Sequence, residues 1–474
     1  MKEKLTAGLI DFGMLITLFA SNVTAQGDFD LRLRQQFQSL LDTKREQYNL
    51  TGISAAIVHP ILGTWKGTAG WSQETQQTLT PDMLLGIGSV TKTYMTALTL
   101  QLVDEGILTL DDSLHQWLPA YPNIDGAITI RQLLAHQSGV HDFTEHPGFS
   151  RELFADLERI WQPEETLLTL LNSPYFKAGT GFRYSNTNFL LLGMILEKAG
   201  GQSISSMLKT RIFEPLNLQN SYLAIEDQLP RNVAHGWTDI DLDGTLEDFT
   251  LLPREAYYSL IWTSGAIFAT AEDAARFMKA VFEGELFSRE LLDEMTAPNS
   301  ERDLYYTLGA YTRPSGNYAY WGHDGLTIEY RSRVMVESTT KTSFAIIVNQ
   351  RVSSLSLIGL MSEFMRMIDA TVDVRTANTE IPDHSSLAEN WPNPFNPETS
   401  ISYELSGNSN VSLTVFNLLG QRIRTLIDGY QFAGNHSLIW NGKDDSGIPA
   451  PSGLYIYTLQ ADDFVASKRM TLIK

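Results

Sequence analysis

Cysteine is absent from the 474 residues, which excludes disulfide bonds, thiol nucleophiles and Cys-ligated zinc or iron–sulfur centres. Basic residues are scarce: 35 Lys and Arg stand against 55 Asp and Glu, for a net charge of −20. A nucleic acid partner is therefore not expected, because phosphate contacts need a basic surface. No G-x-S-x-G occurs, which argues against an α/β-hydrolase nucleophile elbow. Long apolar runs are missing as well, and only the first 25 residues come near one. Lys2 and Lys4 make a basic start, Gly13 to Ala20 is mostly apolar, and Val23-Thr24-Ala25 ends on small residues. Residues 1–25 read as a secretory signal peptide cut after Ala25. Asp11 interrupts the run, so no integral membrane segment is expected in the mature chain.

What is present is core-forming. Hydrophobic residues make up 43% of the chain, and its length suits two or three domains. Residues 30–48 read as an amphipathic helix, and 53–58 and 64–71 as strands joined through Pro60 and Gly63. Helical patterns follow at 129–136, 163–171, 187–199 and 203–213. Thr270-Ala271-Glu272-Asp273 predicts a capped helix ending near Gly284. Strand-like runs return at 304–313, 318–321, 331–337 and 344–350, and a helix over 355–370 closes this part. Strands at both ends with helices between predict one sheet built from N- and C-terminal segments, with a helical region inserted.

The most informative stretch is Gly86-Ile87-Gly88-Ser89-Val90-Thr91-Lys92. Its glycines permit a tight backbone path. A helix is predicted after it, with Met95, Leu98 and Leu102 on one face and a stop at Gly106. Ser89 then lies at the helix N-terminus, where free amides favour negative charge, and Lys92 lies one turn on. That arrangement suits a nucleophilic serine. About one or two S-x-x-K matches arise by chance in a chain this long. Of the three here (Ser89/Lys92, Ser206/Lys209, Ser338/Lys341), only the first has glycines before it and a helix after it.

Two further elements follow in order: Tyr184-Ser185-Asn186 and His323-Asp324-Gly325. Together with Ser89-x-x-Lys92, this order resembles the serine β-lactamase and penicillin-binding family, which includes class C β-lactamases, D-Ala-D-Ala carboxypeptidases and related esterases. Leu133 to Gly139, Ile212 to Leu216 and Thr263 to Asp273 resemble it too, so the likeness spans roughly residues 30 to 370. The resemblance implies an α/β fold: an antiparallel sheet with flanking helices and an inserted all-helical region. It implies a serine hydrolase working through an acyl-enzyme without a cofactor, on a small-molecule or peptide substrate. In that scheme Ser89 attacks, amides of Ser89 and Leu326 hold the oxyanion, and Lys92 or Tyr184 is the base, both left open. Asn186 orients Lys92 and the substrate, and His323 and Gly325 line the substrate site. His323 stands where most class C β-lactamases carry Lys. That removes a fixed charge unless the imidazole is protonated, and ranks esterase or D-amino-acid peptidase above β-lactamase. Leu326 to Tyr330, where relatives are often glycine-rich, predicts a narrowed site. A binding protein that retains the fold without turnover is the alternative of another class.

Residues 26–375 are expected to form the hydrolase domain and 376–390 a polar linker. Beyond it, Ile401/Tyr403/Leu405, Val411/Leu413/Val415, Leu438/Trp440 and Leu454/Ile456/Leu459 predict inward-facing positions of a β-sandwich of about 80 residues, over 391–474. Trp391 to Pro397, Gly453-Leu454-Tyr455 and the ending Met470 to Lys474 resemble FlgD-type Ig-like sorting modules of type IX secretion. That implies the secretion machinery as a partner, export through the periplasm, and a secreted or cell-surface location.

Asp239-Ile240-Asp241-Leu242-Asp243-Gly244 matches the start of a calcium loop. Position 12 is Thr250 rather than Glu, and a hairpin turn on Asp243-Gly244 accounts for it as well. No metal site is assigned. His136, His141 and His146 are five apart, which is not helix-face ligand spacing; a loop supporting the site is expected.

Overall fold

The computed structural model describes residues 29–73, 77–240, 243–297, 305–351, 354–378, 384–407, 409–431 and 434–473. The expected signal peptide lies outside the described residues. Seven antiparallel strands form the main sheet, in the order Gln77–Thr78, Gly63–Gln73, Gly52–His59, Ser343–Val348, Arg331–Glu337, Tyr318–Leu326, Tyr311–Ser315. N- and C-terminal segments meet at its centre, where Ile53 lies opposite Val348 and Val58 opposite Ser343. The Gly52–His59 strand is buried at every position, because both faces of the sheet are covered. Leu31–Gln47 and Leu357–Asn378 pack on one face, where Phe37, Leu41, Ile57, Phe344 and Phe364 share a core. The other face meets the helical region, with Val58, Val334 and Ile347 against residues such as Phe277 and Leu98. Each such side chain removed from water contributes roughly 1.5–3 kcal/mol.

Local signals set the helix ends. Thr270 accepts a hydrogen bond from the Asp273 amide, and the Ala271–Glu283 helix stops at Gly284 with φ +77°. The Thr91–Asp104 helix departs from the expected single apolar face, since it is buried on nearly every side. Its threonines tolerate this because their hydroxyls are used: Thr96 Oγ1 donates to Lys92 O (2.9 Å) and Thr99 Oγ1 to Met95 O (2.8 Å). The predicted 203–213 helix divides into Ile204–Leu208 and a wider π turn, Lys209–Phe213. The last helix runs to Asn378, past the expected start of the linker at 376, as neither Gly nor Pro occurs between Gly359 in its first turn and Pro382.

Two sheets follow, one of Ser386–Leu387, Thr399–Leu405 and Gly434–Trp440, the other of Arg422–Gln431, Ser409–Asn417, Gly453–Ala461 and Phe464–Leu472. Ile401, Tyr403, Leu405, Val411, Leu413, Val415 and Trp440 fill their core as expected. In Gly453–Ala461 the inward set is Tyr455, Tyr457 and Leu459, not Leu454 and Ile456. Burying the tyrosine rings is compatible with their hydroxyls, since Tyr457 donates to Ala388 O (2.8 Å) and Tyr455 to Pro451 O (2.7 Å). Among the described residues no helix is long and apolar enough to cross a membrane.

Candidate active site

Gly88 takes φ +54° and starts a 3-10 turn, Gly88–Val90, that leads into the Thr91–Asp104 helix. Ser89 is thereby set at the helix entrance. The turn lies against the end of the Tyr318–Leu326 strand so closely that a Cβ on Gly88 falls 2.6 Å from Leu326 N, and one on Gly325 falls 1.9 Å from Ile87 O. Glycine at both places is a steric requirement. Ser332 Oγ closes the junction by donating to Ile87 O at 2.8 Å.

Lys92 is fully buried and its Nζ has three acceptors: Ser89 Oγ at 3.0 Å, Asn186 Oδ1 at 2.8 Å and Ser264 O at 2.7 Å. Burial brings its ammonium down to about 7, with Asp142 opposing the change. Asn186 begins the Asn186–Gly200 helix and donates through Nδ2 to both oxygens of Asp142 (3.3 and 3.0 Å), while Asp142 Oδ2 also accepts the Asn186 amide (3.0 Å). The amide is thus oriented with its oxygen toward Lys92. The Ser264 carbonyl comes from the Glu255–Gly265 helix, which is broken at Trp262 (φ +26°).

Tyr184 lies in the extended segment just before the Asn186 helix, with Lys92 Nζ 4.9 Å from its ring centre. Its ring is half-buried, but its hydroxyl is enclosed and makes no fully formed hydrogen bond. Burial holds the phenol well above the ordinary tyrosine value, although the neighbouring Ser89 hydroxyl favours the anion. The phenol of residue 184 and the 89/92 pair therefore share one site.

Ser89 opens onto two lobes. The larger, of about 560 Å³, has Asn186 and Ser264 beside the serine, with Phe149, Leu153, Tyr257 and Ile328 among its apolar walls. The smaller, of about 280 Å³, is lined by Tyr311, His323, Asp324, Arg331 and Arg333, and Tyr184 and Leu326 border both. His323 is a buried inner wall of the smaller lobe. Burial, with Lys92 nearby, brings its imidazole down to about 3, so it is neutral and does not replace the missing lysine charge. The cations of that lobe are Arg331, whose Nη1 donates to Leu355 O (3.1 Å), and Arg333, paired with Asp324.

The expected narrowing is only partly realised. Leu326, Thr327 and Ile328 line the larger lobe, but Glu329 and Tyr330 are buried away from it, in hydrogen bonds with Tyr258 (2.8 Å) and the Ala234 carbonyl. Asp142, the Ser264 carbonyl and the two arginines escaped the sequence reading. Asp142 lay within the histidine-bearing loop, but nothing in its residue type marks it. Ser206, of the second S-x-x-K, lies in the Ile204–Leu208 helix and donates to Gln202 Oε1 (3.0 Å). Trp237–Thr238 pairs with Glu247–Asp248, so the two strands flank the acidic stretch, but their register is not that of a two-residue turn on Asp243-Gly244. Asp239, Asp243 and Glu247 bring carboxylate oxygens within 4.8 Å of one another, the one grouping with metal-ligand spacing among the described residues.

A seven-stranded antiparallel sheet with flanking and inserted helices, and a serine–lysine pair beside the end of one of its strands, is the β-lactamase and penicillin-binding-protein type of fold. The Beta-lactamase family model matches residues 37–357, most of the chain, and the chain belongs to that family. The FlgD Ig-like domain matches residues 393–463. Penicillin-binding protein 4* of Bacillus subtilis (strain 168) is 29% identical over 294 residues, which cover 58% of this chain and 62% of the relative. A D-aminopeptidase of Brucella anthropi is 31% identical over 151 residues, covering 31% of this chain and 28% of that protein. The chain thus spans less than two thirds of the length of either. Among solved structures, a D-stereospecific amidohydrolase from Streptomyces sp. superposes with a TM-score of 0.61 at 27% identity, over 71% of this chain and 98% of that one. A D-amino acid amidase from Ochrobactrum anthropi SV3 gives 0.61 at 24% identity, over 73% and 99%.

Proposed function

We propose that this protein is an exported serine hydrolase that transfers an acyl group from an ester or a D-amino-acid amide or peptide to Ser89 and then to water. The observation that carries the reading is the setting of Lys92: burial brings its amine down to about 7, and donation of two N–H groups to Asn186 Oδ1 and Ser264 O leaves the lone pair of the neutral amine for the Ser89 hydroxyl 3.0 Å away. Lys92 Nζ takes the Ser89 proton as Oγ bonds to the carbonyl carbon, and the oxyanion is held by the Ser89 and Leu326 amides. The proton then passes to the leaving amine or alkoxide by way of Tyr184, and the C–N or C–O bond breaks. Water repeats the sequence on the acyl-enzyme. This assigns the base role to Lys92, since burial disfavours a phenolate at Tyr184. Asn186 orients both amine and substrate, and His323, Gly325 and Leu326 form substrate walls.

A neutral His323 weighs toward esterase or peptidase over β-lactamase, and the names of the amidase and D-aminopeptidase relatives support a D-configured substrate. We assign residues 1–25 to a signal peptide, 26–375 to the hydrolase, 376–390 to a linker shortened by the helix that runs to Asn378, and 391–474 to a sorting module that directs type IX export to the surface or medium. The test is fluorophosphonate labelling of wild type and Ser89→Ala, with p-nitrophenyl acetate, nitrocefin, D-phenylalanine amide and a D-Ala-D-Ala peptide as parallel substrates. Labelling of wild type alone is the expected result. Equal labelling of both proteins, or of neither, overturns the reading in favour of a non-catalytic binding protein.

A further inference from the structure

Three buried side chains stand behind Tyr184 and belong to three separate segments: His136, Tyr306 and His323. Their hydrogen bonds have one consistent direction. Ser138 Oγ donates to Asn188 Oδ1 (2.6 Å), so the Asn188 amide nitrogen faces His136 Nδ1 at 2.9 Å. The Ser185 amide donates to the same Nδ1 (3.1 Å). Two donors on Nδ1 make it the unprotonated nitrogen, so the ring proton is on Nε2, which faces Tyr306 Oη at 3.1 Å. Tyr306 has one proton left to give, and His323 Nε2 lies 3.4 Å from its oxygen. The far end fixes the same direction independently. His323 Nδ1 is 2.6 Å from the Asp324 carbonyl, which can only accept, so Nδ1 carries the proton and Nε2 is the acceptor.

His136 also grips the backbone on both sides of Tyr184. It adopts φ +53°, uncommon for a residue with a side chain. In that conformation its carbonyl accepts the Arg183 amide (3.0 Å) while its ring accepts the Ser185 amide (3.1 Å). The His136 and Tyr184 rings lie 4.2 Å apart, and Tyr306 meets Tyr184 edge-on at 6.1 Å.

We infer that Tyr306 is a positioning residue for the proposed hydrolysis, whose hydroxyl joins His136 to His323 in a one-way hydrogen-bond chain that fixes the Tyr184 phenol against Ser89. The chain also occupies both nitrogens of His323, which therefore acts as a wall and not as a proton donor to substrate. The inference rests on the hydrolase reading, but the chain itself has a readout that needs no turnover. In protein labelled with 15N-histidine, His136 should be the Nε2–H tautomer and His323 the Nδ1–H tautomer. Tyr306→Phe keeps the packed ring and removes only the hydroxyl. We expect the 15N resonance of His323 Nε2 to move to that of a nitrogen without a hydrogen bond in that variant, with the Nδ1–H tautomer kept by the Asp324 carbonyl, and kcat to fall about tenfold with KM changed less than twofold. The opposite tautomer at either histidine in the wild type overturns the inference even if the variant fails to fold. A folded Tyr306→Phe protein with wild-type kcat overturns it as well. If wild type is inert to every substrate and to fluorophosphonate, the hydrolase reading fails and the positioning role with it, whereas the tautomers still decide whether the chain exists.

Discussion

Replacing Lys92 by Met separates what the buried amine costs the fold from what it contributes to the site. In the unfolded chain the amine has its ordinary value of 10.5, and in the native protein burial brings it down to about 7. Between those two values the unfolded state holds a proton that the native state does not, so wild-type stability rises with pH across that window and is flat below it. At pH 7 the native protein forgoes roughly 4–5 kcal/mol relative to pH above the upper value. Lys92→Met removes that cost but leaves Asn186 Oδ1 and Ser264 O without the donor that now reaches them, a loss of about 1–1.5 kcal/mol each. The variant should therefore be about 2 kcal/mol more stable than wild type at pH 7 and about 2–3 kcal/mol less stable at the alkaline end, with the sign reversing near about pH 9. Urea unfolding of both proteins at intervals from mildly acidic to alkaline pH measures this, because every other titration cancels in the difference. A stability difference that stays constant with pH refutes a depressed lysine. The same variant should lose acylation by about 10³-fold, and the wild-type rate should fall tenfold per pH unit below about 7.

Asp142→Asn keeps the shape of the loop but removes the carboxylate that opposes the shift of Lys92 and holds the Asn186 amide. Its acid limb should move to lower pH, with a rate loss of about tenfold from the loosened Asn186; a limb that moves upward contradicts the assigned electrostatics. Gly325→Ala places a Cβ 1.9 Å from Ile87 O and 2.2 Å from Ser332 Oγ. It should cost about 3 kcal/mol in thermal or urea unfolding and about 10²-fold in acylation, and a silent substitution there would mean that the serine turn and the strand are not so closely apposed.

Much of the architecture was legible because it is local. A cap residue followed by an acid places the start of the Ala271–Glu283 helix, a left-handed glycine ends it, and alternation marks the strands of the C-terminal sandwich. Even there the phase of Gly453–Ala461 escaped, since Leu454, Tyr455, Ile456 and Tyr457 are all apolar enough to face inward and only the hydroxyl partners decide between them. Ser89 and Lys92 were legible together because three residues is one helical turn, and the order of Tyr184 and His323 along the chain matched a known pattern.

What the chain alone determined is which residue types are available at the site and that the serine heads a helix. Tertiary structure decided their chemistry. A lysine in a sequence is a cation, and Lys92 departs from that only because helix, sheet and insertion close around it and take its amine out of water. Histidine at 323 could have been charged or neutral, and its burial against Tyr306 and Tyr311 makes it neutral. A carboxylate and a main-chain carbonyl complete the lysine's surroundings from segments far away in sequence, and neither has a signature that spacing could reveal. Dielectric surroundings and hydrogen-bond direction are properties of packed groups, so they come into being only when those segments meet.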